Sequence, residues 1–400
     1  MSPEKIEQRW TAAAEVSNVA AMAPFQPQRL LVTGGAGFVG SAVVRAVLAR
    51  ADARPHLERV VVLDALTYAG HRVNLEGCED DPRFVFVEGD ICDRALVEKV
   101  FAEHRIDSVL HLAAESHVDR SIESAEAFIR TNVNGTFILL DVARRLWGTT
   151  DGEPRKARFV HVSTDEVFGA LGETGVFTEM TAYAPNSPYA ASKAASDLLV
   201  RSYFKTYALP ALVTNCCNNY GPRQLPEKLI PLMITNAAES KKLPVYGEGK
   251  QIREWLHVDD HAEGLWAALV RGVPGQSYLF GSGDELNNKQ MVELIADTID
   301  EHVGRAKGTS RGLMQYVPDR KGHDFRYAID ASKAKHELGW SPKRKLATEL
   351  RETVRWYLAN EAWRRTVSTE EHRRFQRAYY KPASTKVAAA PALDGGQAES

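Results

Sequence analysis

Short apolar runs recur along the first half of the chain: LLVT at 30–33, Val60 to Leu63, FVFV at 84–87, VLHL at 109–112, FVHV at 159–162 and ALVT at 211–214. Their length and their β-branched and aromatic content predict strands. Between them the apolar spacing lengthens to a helical period over 41–50, 93–104, 124–146 and 189–207. Strands alternating with helices of this length build βαβ units, so the expected class is α/β, a parallel sheet with helices on both faces. No short-period repeat is visible.

After Tyr220 the pattern changes. Prolines fall at 222, 226 and 231, and the alternation becomes irregular. A second, smaller lobe is expected over 221–254 and 272–380. It is interleaved with the first domain (29–220), because 255–271 reads as a strand end followed by a helix that returns to the sheet. Residues 1–28 form an extension, and 381–400, rich in Ala, Ser, Gly and Pro, are expected to be disordered. The charge-rich stretch 362–382 reads as a solvated helix and tail.

Composition narrows the function. Of 400 residues, 50 are Lys or Arg and 52 are Asp or Glu, a net charge of -2. That balance offers no electrostatic footprint for nucleic acid or an anionic membrane. No apolar run is long enough to span a bilayer, and the first residues lack a signal-peptide core, so the cytoplasm is the expected location. The cysteines Cys78, Cys92, Cys216 and Cys217 form no C-x-x-C pair. His257 and His261 are four apart but do not make an H-E-x-x-H pattern, and no metal is expected.

The glycines carry the first chemical signal. Thr33-Gly34-Gly35-Ala36-Gly37-Phe38-Val39-Gly40 follows the first strand and opens a helix, with Gly34, Gly37 and Gly40 spaced G-x-x-G-x-x-G. Small residues there let the backbone approach a pyrophosphate, which the helix N-terminus attracts. The arrangement predicts a Rossmann-type doubly wound parallel sheet with a smaller, interleaved C-terminal substrate lobe. Asp64 ends the second strand and suits a ribose diol, which favours NAD over NADP. Asp90 and Ile91, after the third strand, are placed for the adenine edge. Tyr189 and Lys193 form Y-x-x-x-K on one helix face. A nearby ammonium would lower the phenol's pKa, so Tyr189 is expected to act as a base near neutral pH. Ser163 and Thr164, ending a strand, are expected to offer a hydroxyl to a substrate alcohol.

These segments resemble the extended short-chain dehydrogenase/reductase superfamily, and within it the nucleotide-sugar 4,6-dehydratases. The resemblance runs from Leu31 to near Tyr357. It rests on TGGAGFVGS (33–41), HLAAESHVDRSI (111–122), STDEVFG (163–169), SPYAASKAASD (187–197), NNYGPRQLPEKLIP (218–231), QIREWLHVDDH (251–261) and DRKGHDFRYAID (319–330). It implies an NAD-dependent lyase acting on a nucleotide sugar, with dTDP-glucose expected and UDP-glucose, or 4-epimerisation of a UDP-sugar, as the alternatives. Phe38, Val39 and Ala113 join the cofactor site by this resemblance. Thr164, Asp165 and Glu166 become catalytic with Tyr189 and Lys193: Glu166 as the base at C5, Asp165 as the acid at C6. Arg253, Arg320, Asn288 and His323 fall to the diphosphate. Ser116, Asn218 and Asn219 fall to the sugar side, Glu227, Lys228 and Leu229 to the loop around base and phosphates, and Tyr246 beside the pyrimidine. A homodimer through the helices 124–146 and 189–207 is also implied. The chain departs from the family at Arg223 and Leu225, where aromatics are common. Arg223 is thereby expected to add a cation that alters nucleotide preference. Phe325 stands where an arginine is common, which would weaken a phosphate contact.

Overall fold

The computed structural model describes residues 23–148 and 156–368. The expectations for 1–22 and 369–400 lie outside them. Seven parallel strands form the main sheet: β1 Arg29–Thr33, β2 Arg59–Asp64, β3 Phe84–Glu88, β4 Ser108–His111, β5 Arg158–Thr164, β6 Ala211–Cys216 and β10 Ser277–Phe280. Their spatial order is β3-β2-β1-β4-β5-β6-β10. The order reverses between β1 and β4, and a doubly wound sheet opens its ligand crevice there, beyond the carboxyl ends of the strands. The strands read as unbroken apolar runs because helices cover both faces. Leu31, Val61 and Val109 pack into one layer and Leu30, Val62 and Leu110 into the other.

β10 falls inside the range 272–380 that the sequence assigned to the substrate lobe. It pairs with β6, Ser277 opposite Val213 and Phe280 opposite Cys216, so this range contributes a strand to the main sheet. The helix Val258–Arg271 delivers it there, packing on the helix Phe38–Ala49 that opens after the glycines.

The rest of the second half forms two small sheets. One joins β7 Asn218–Tyr220, β9 Ile252–His257 and β11 Glu285–Asn287; the other joins β8 Leu243–Tyr246 and β12 Met314–Val317. The helices Leu229–Ala238, Asn288–Val303 and Leu346–Ala359 close a separate core with Ile230, Met291, Ile295, Leu350 and Tyr357.

The helix expected over 124–146 is broken. Val118–Glu123 and Glu126–Phe128 precede a π-helical segment, Ile129–Gly135, and a regular helix, Thr136–Leu146. The wider turn presents Asn132 to two other elements, a common use of π-bulges near functional sites. The long helix Pro188–Tyr207 starts where Ser187 Oγ accepts from Ala190 N at 3.1 Å and Pro188 sets the first turn.

Candidate active site

The glycine loop turns at the end of β1. Gly34 has φ +69, and a Cβ there would lie 2.7 Å from the Ala113 backbone. A Cβ on Gly40 would lie 2.1 Å from the Gly34 carbonyl oxygen. Both positions require glycine for steric reasons. Asp64 sits beneath the loop, where Oδ2 accepts from Ala36 N at 2.8 Å and Oδ1 from Leu66 N at 2.9 Å. Burial raises its pKa, and those two donors oppose the rise. Asp90 accepts from Cys92 N at 2.8 Å and pairs with Arg130 at 2.6 Å. Gly37, Phe38, Val39 and Ile91 complete this wall of a cleft of about 430 Å³ that runs on to Thr164, Tyr189 and Lys193. The glycine cradle, the helix N-terminus aimed into the cleft and the fixed carboxylate together fit a dinucleotide.

β5 carries the acids to the far end of that cleft. Thr164 Oγ1 accepts from Glu166 N and bonds Asp165 Oδ1, both at 3.3 Å. Asp165 is buried, and its Oδ2 has no hydrogen-bond partner among the described residues. Burial, then the charges of Glu166 and Glu254, push its pKa well above the usual carboxylate range, which favours its protonated form. Burial also raises Glu166, but Arg253, Arg320 and Lys228 pull it back. Burial thus raises both adjacent carboxyls, and the nearby cations restrain Glu166 more than Asp165.

The phenol does not behave as the spacing suggested. Burial, followed by the Glu166 charge, raises Tyr189 well above the usual tyrosine range; a hydrogen bond with Thr164 acts the other way. The expected lowering by Lys193 is absent. The ammonium instead donates to Val162 O at 2.8 Å, and burial holds its pKa at about 8. Ser163 also departs from expectation: its hydroxyl donates to Asp197 at 2.9 Å, inside the core, which leaves Thr164 as the hydroxyl at the phenol.

A second cavity of about 180 Å³ opens beside the first and shares Glu166 with it. Ser116, Asn218, Asn219, Glu227, Lys228, Leu229, Tyr246, Arg253, Asn288, Arg320 and His323 all line it. Arg253 donates to the carbonyls of Ile252 at 2.8 Å and Asp324 at 3.0 Å, and lies 4.2 Å over the Tyr327 ring. Arg320 grips Asp119 at 2.5 and 3.0 Å and lies 5.3 Å over the Tyr246 ring. Lys228 Nζ donates to Ser116 O at 3.1 Å. Asn219 bonds His261 at 2.9 Å, and His323 bonds Asp319 at 2.6 Å.

Two expected specificity positions lie elsewhere. Arg223 and Leu225 line the dinucleotide cleft and not the second cavity, because the 221–225 loop folds back toward the glycine side. Arg223 therefore faces the dinucleotide cleft rather than the second cavity, where it was expected. The Phe325 side chain is exposed and does not line the second cavity, so it replaces no phosphate contact.

Sequence reasoning missed three organising residues. Asp119 fixes Arg320 and also accepts from Tyr246 OH at 3.3 Å. Asn132 accepts from Glu115 N at 2.8 Å and donates to Ser192 Oγ at 2.8 Å, tying the loop after β4 to the Tyr189 helix. Asp197, fully buried, collects Ser163, Tyr183 and Asn215. The spacing Tyr189, Lys193, Asp197, a repeat of four, was the available signal for the last.

Known proteins are similar to this chain over most of its length. A family model described as GDP-mannose 4,6 dehydratase matches residues 31–353. The dTDP-glucose 4,6-dehydratase of Neisseria meningitidis serogroup B is 51% identical over 351 residues, 86% of this chain and 98% of that protein. The dTDP-glucose 4,6-dehydratase 1 of Escherichia coli K12 is 50% identical over 84% of this chain and 94% of its own. The crystal structure of DesIV, a dTDP-glucose 4,6-dehydratase from Streptomyces venezuelae with NAD bound, superposes at a TM-score of 0.78 with 46% identity, over 85% of this chain and 100% of that one. A UDP-glucose 4-epimerase from Thermotoga maritima reaches a TM-score of 0.71 at 27% identity, over 84% and 100%. The identity to the dehydratases is far higher than to the epimerase, and by sequence, fold and site this chain belongs to the nucleotide-sugar 4,6-dehydratase family, among the dTDP-glucose 4,6-dehydratases.

Proposed function

We propose that this chain removes water from dTDP-glucose to give dTDP-4-keto-6-deoxyglucose. The observation that carries the reading is the Asp165–Glu166 pair beside the Tyr189 phenol: both carboxyls are raised by burial, Asp165 further by the charges of Glu166 and Glu254, while three cations hold Glu166 back. NAD, which the glycine cradle and Asp64 fit, supplies when bound a hydride acceptor toward C4, a hydride donor toward C6 and a positive charge. Tyr189, hydrogen-bonded with Thr164, would take the proton of the sugar's 4-hydroxyl as its phenolate. The Lys193 ammonium one turn away, which would also hold the nicotinamide ribose, would bring the buried phenol down to that form together with the positive charge of bound NAD. Once C4 is a ketone, the C5 hydrogen is acidic. Glu166 removes it, and Asp165, whose protonated form burial favours, gives its proton to the departing C6 hydroxyl, which leaves as water. Glu166 then returns a proton to C5. A 4-epimerase needs neither acid, since it changes only the C4 centre.

Arg253, Arg320 and Lys228 serve twice in this reading. They hold the diphosphate, and they keep Glu166 available as a base. Tyr246 stacks on the pyrimidine. The exposed side chains Ile129, Phe137, Leu198 and Tyr207, on the helical stretches 129–146 and 188–207, support a homodimer through these helices. No described helix is long and apolar enough to cross a membrane; with the near-neutral charge, this supports a cytoplasmic enzyme.

The test is mass spectrometry of the sugar product after parallel incubation with dTDP-glucose and UDP-glucose, one set without added cofactor and one with NAD. Loss of one water from dTDP-glucose alone is expected. Loss from UDP-glucose alone overturns the base assignment, and no loss from either, with NAD demonstrably bound, overturns the reaction.

A further inference from the structure

Trp363 stands in the helix Glu361–Val367, beyond the segment matched by the family model, yet it lines the dinucleotide cleft. The sequence had placed this stretch in a solvated, charge-rich helix; in the structure Trp363 and Val367 are buried. The indole N–H donates to Asn74 Oδ1 at 2.8 Å, and Asn74 Nδ2 donates to the Ala36 carbonyl at 2.9 Å. Ala36 belongs to the glycine loop, and its own N–H meets Asp64 at 2.8 Å. An unbroken chain of buried hydrogen bonds therefore runs from the C-terminal helix through the loop to the carboxylate at the end of β2.

The opposite wall is held by the same cluster. Tyr357 OH donates to Gln224 O at 2.5 Å and lies 3.4 Å from Gly221 O. The Arg223 guanidinium lies 5.5 Å over the Trp356 ring, with its backbone at φ +70. That left-handed conformation is unfavourable for a residue with a side chain, so the contacts around it must hold it. Arg223, Gln224 and Leu225 all line the cleft. Trp363 packs edge-on against Trp356 at 5.0 Å and Tyr357 at 5.9 Å. One aromatic cluster thus grips both sides of the same opening.

We infer that Trp356, Tyr357 and Trp363 form a clamp that retains the cofactor, holding the glycine loop and the 221–225 loop at the spacing a dinucleotide fills. The inference rests on the reading of this cleft as the NAD site. It gives that reading a device it needs. The hydride returns within each turnover, so the cofactor has no reason to leave, and a slow off-rate keeps the enzyme competent. Trp363 and Tyr357 act here as positioning residues, through Asn74, Ala36 and Gln224.

The test uses the full-length chain and two conservative variants, Trp363→Phe and Tyr357→Phe. Each keeps an aromatic ring and removes the hydrogen-bond donor, Tyr357→Phe with its ring unchanged and Trp363→Phe with a smaller one, so one remains informative if the other fails to fold. NAD per chain is measured after exhaustive dialysis, and bound NAD is chased with excess isotopically labelled NAD to give the off-rate. The wild type is expected to hold its NAD, and each variant to release it about tenfold faster, the effect of one buried hydrogen bond left unmade. A merely structural role would lower the melting temperature and leave the off-rate unchanged, and that result overturns the clamp. A wild type that carries no nicotinamide and binds none when it is added overturns the reading of the cleft itself.

Discussion

Asp197→Asn isolates the charge that keeps Lys193 usable. Lys193 and Asp197 sit four apart on the helix Pro188–Tyr207, both buried. Burial drives the lysine down to about 8, and Asp197 is the first influence holding it up. Asp197 itself is pushed up to about 6 by burial, with Lys193 and three hydrogen-bond donors opposing. His161, whose Nε2 stands 3.2 Å from Asp197, is held well below its usual range and stays neutral, as does His111 beside it. Lys193 is therefore the cation that faces this carboxylate. Helical neighbours four apart lie about 6 Å from one another. At an effective dielectric of about 20 their attraction is roughly 3 kcal/mol, or about two pKa units. Removing it takes Lys193 from about 8 to about 6, so at about pH 7.5 its charged fraction falls from about three quarters to about 3%. The expected result is a loss of about 25-fold in kcat near that pH, recovered as the pH is lowered. The sign follows from the lysine: in the proposed reaction the Tyr189 phenolate needs the charge of Lys193, so activity disappears as pH rises through the lysine's folded pKa. The assay is the initial rate of water loss from dTDP-glucose, measured from about pH 5 to 10. Ser163→Ala and Tyr183→Phe remove neutral donors to the same carboxylate and should leave the alkaline limb near 8. An Asp197→Asn enzyme whose alkaline limb lies within about 0.3 units of the wild type would refute the electrostatic account.

Three further outcomes are expected. Glu166→Gln and Asp165→Asn should each slow water loss by about 10²–10⁴-fold while NAD stays bound, read from product mass and from nicotinamide content. Arg320→Ala leaves Asp119 buried without its partner, so about 3–5 kcal/mol of stability should be lost together with nucleotide affinity, checked by urea unfolding and by dTDP binding. Arg320→Lys keeps the charge and should restore only part of the affinity, because it cannot reproduce the two contacts to Asp119. Gly40→Ala drives a Cβ to 2.1 Å from the Gly34 carbonyl, so the variant should purify without NAD and melt lower than the wild type.

Much of the fold is written locally. The strands β1 to β6 lie where the apolar runs stand, because a parallel strand covered on both faces must be continuously apolar. The glycines announce the loop, because a Cβ at Gly34 or Gly40 meets backbone at 2.7 or 2.1 Å. The adjacency of Asp165 and Glu166, and the spacing of Tyr189 and Lys193, are likewise properties of the chain itself.

What only the tertiary structure decided depends on segments far apart in sequence. β10 joins the main sheet, although its four residues carry no signal that separates them from the neighbouring lobe. The π-helical turn at Ile129–Gly135 replaces a regular helix because Asn132 is claimed by Glu115 and Ser192. The unequal electrostatics of Asp165 and Glu166, on which their proposed roles as acid and base rest, come from burial and from cations distant in the sequence. The same burial keeps the Tyr189 phenol up, where the lysine one turn away had suggested the opposite. Arg223 turns to the cofactor side because the C-terminal helices hold its loop there. Periodicity and spacing report what a residue's near neighbours in the chain require. Protonation and the lining of a cleft follow from the low dielectric and the charges that folding gathers around a group, and these come from everywhere in the sequence.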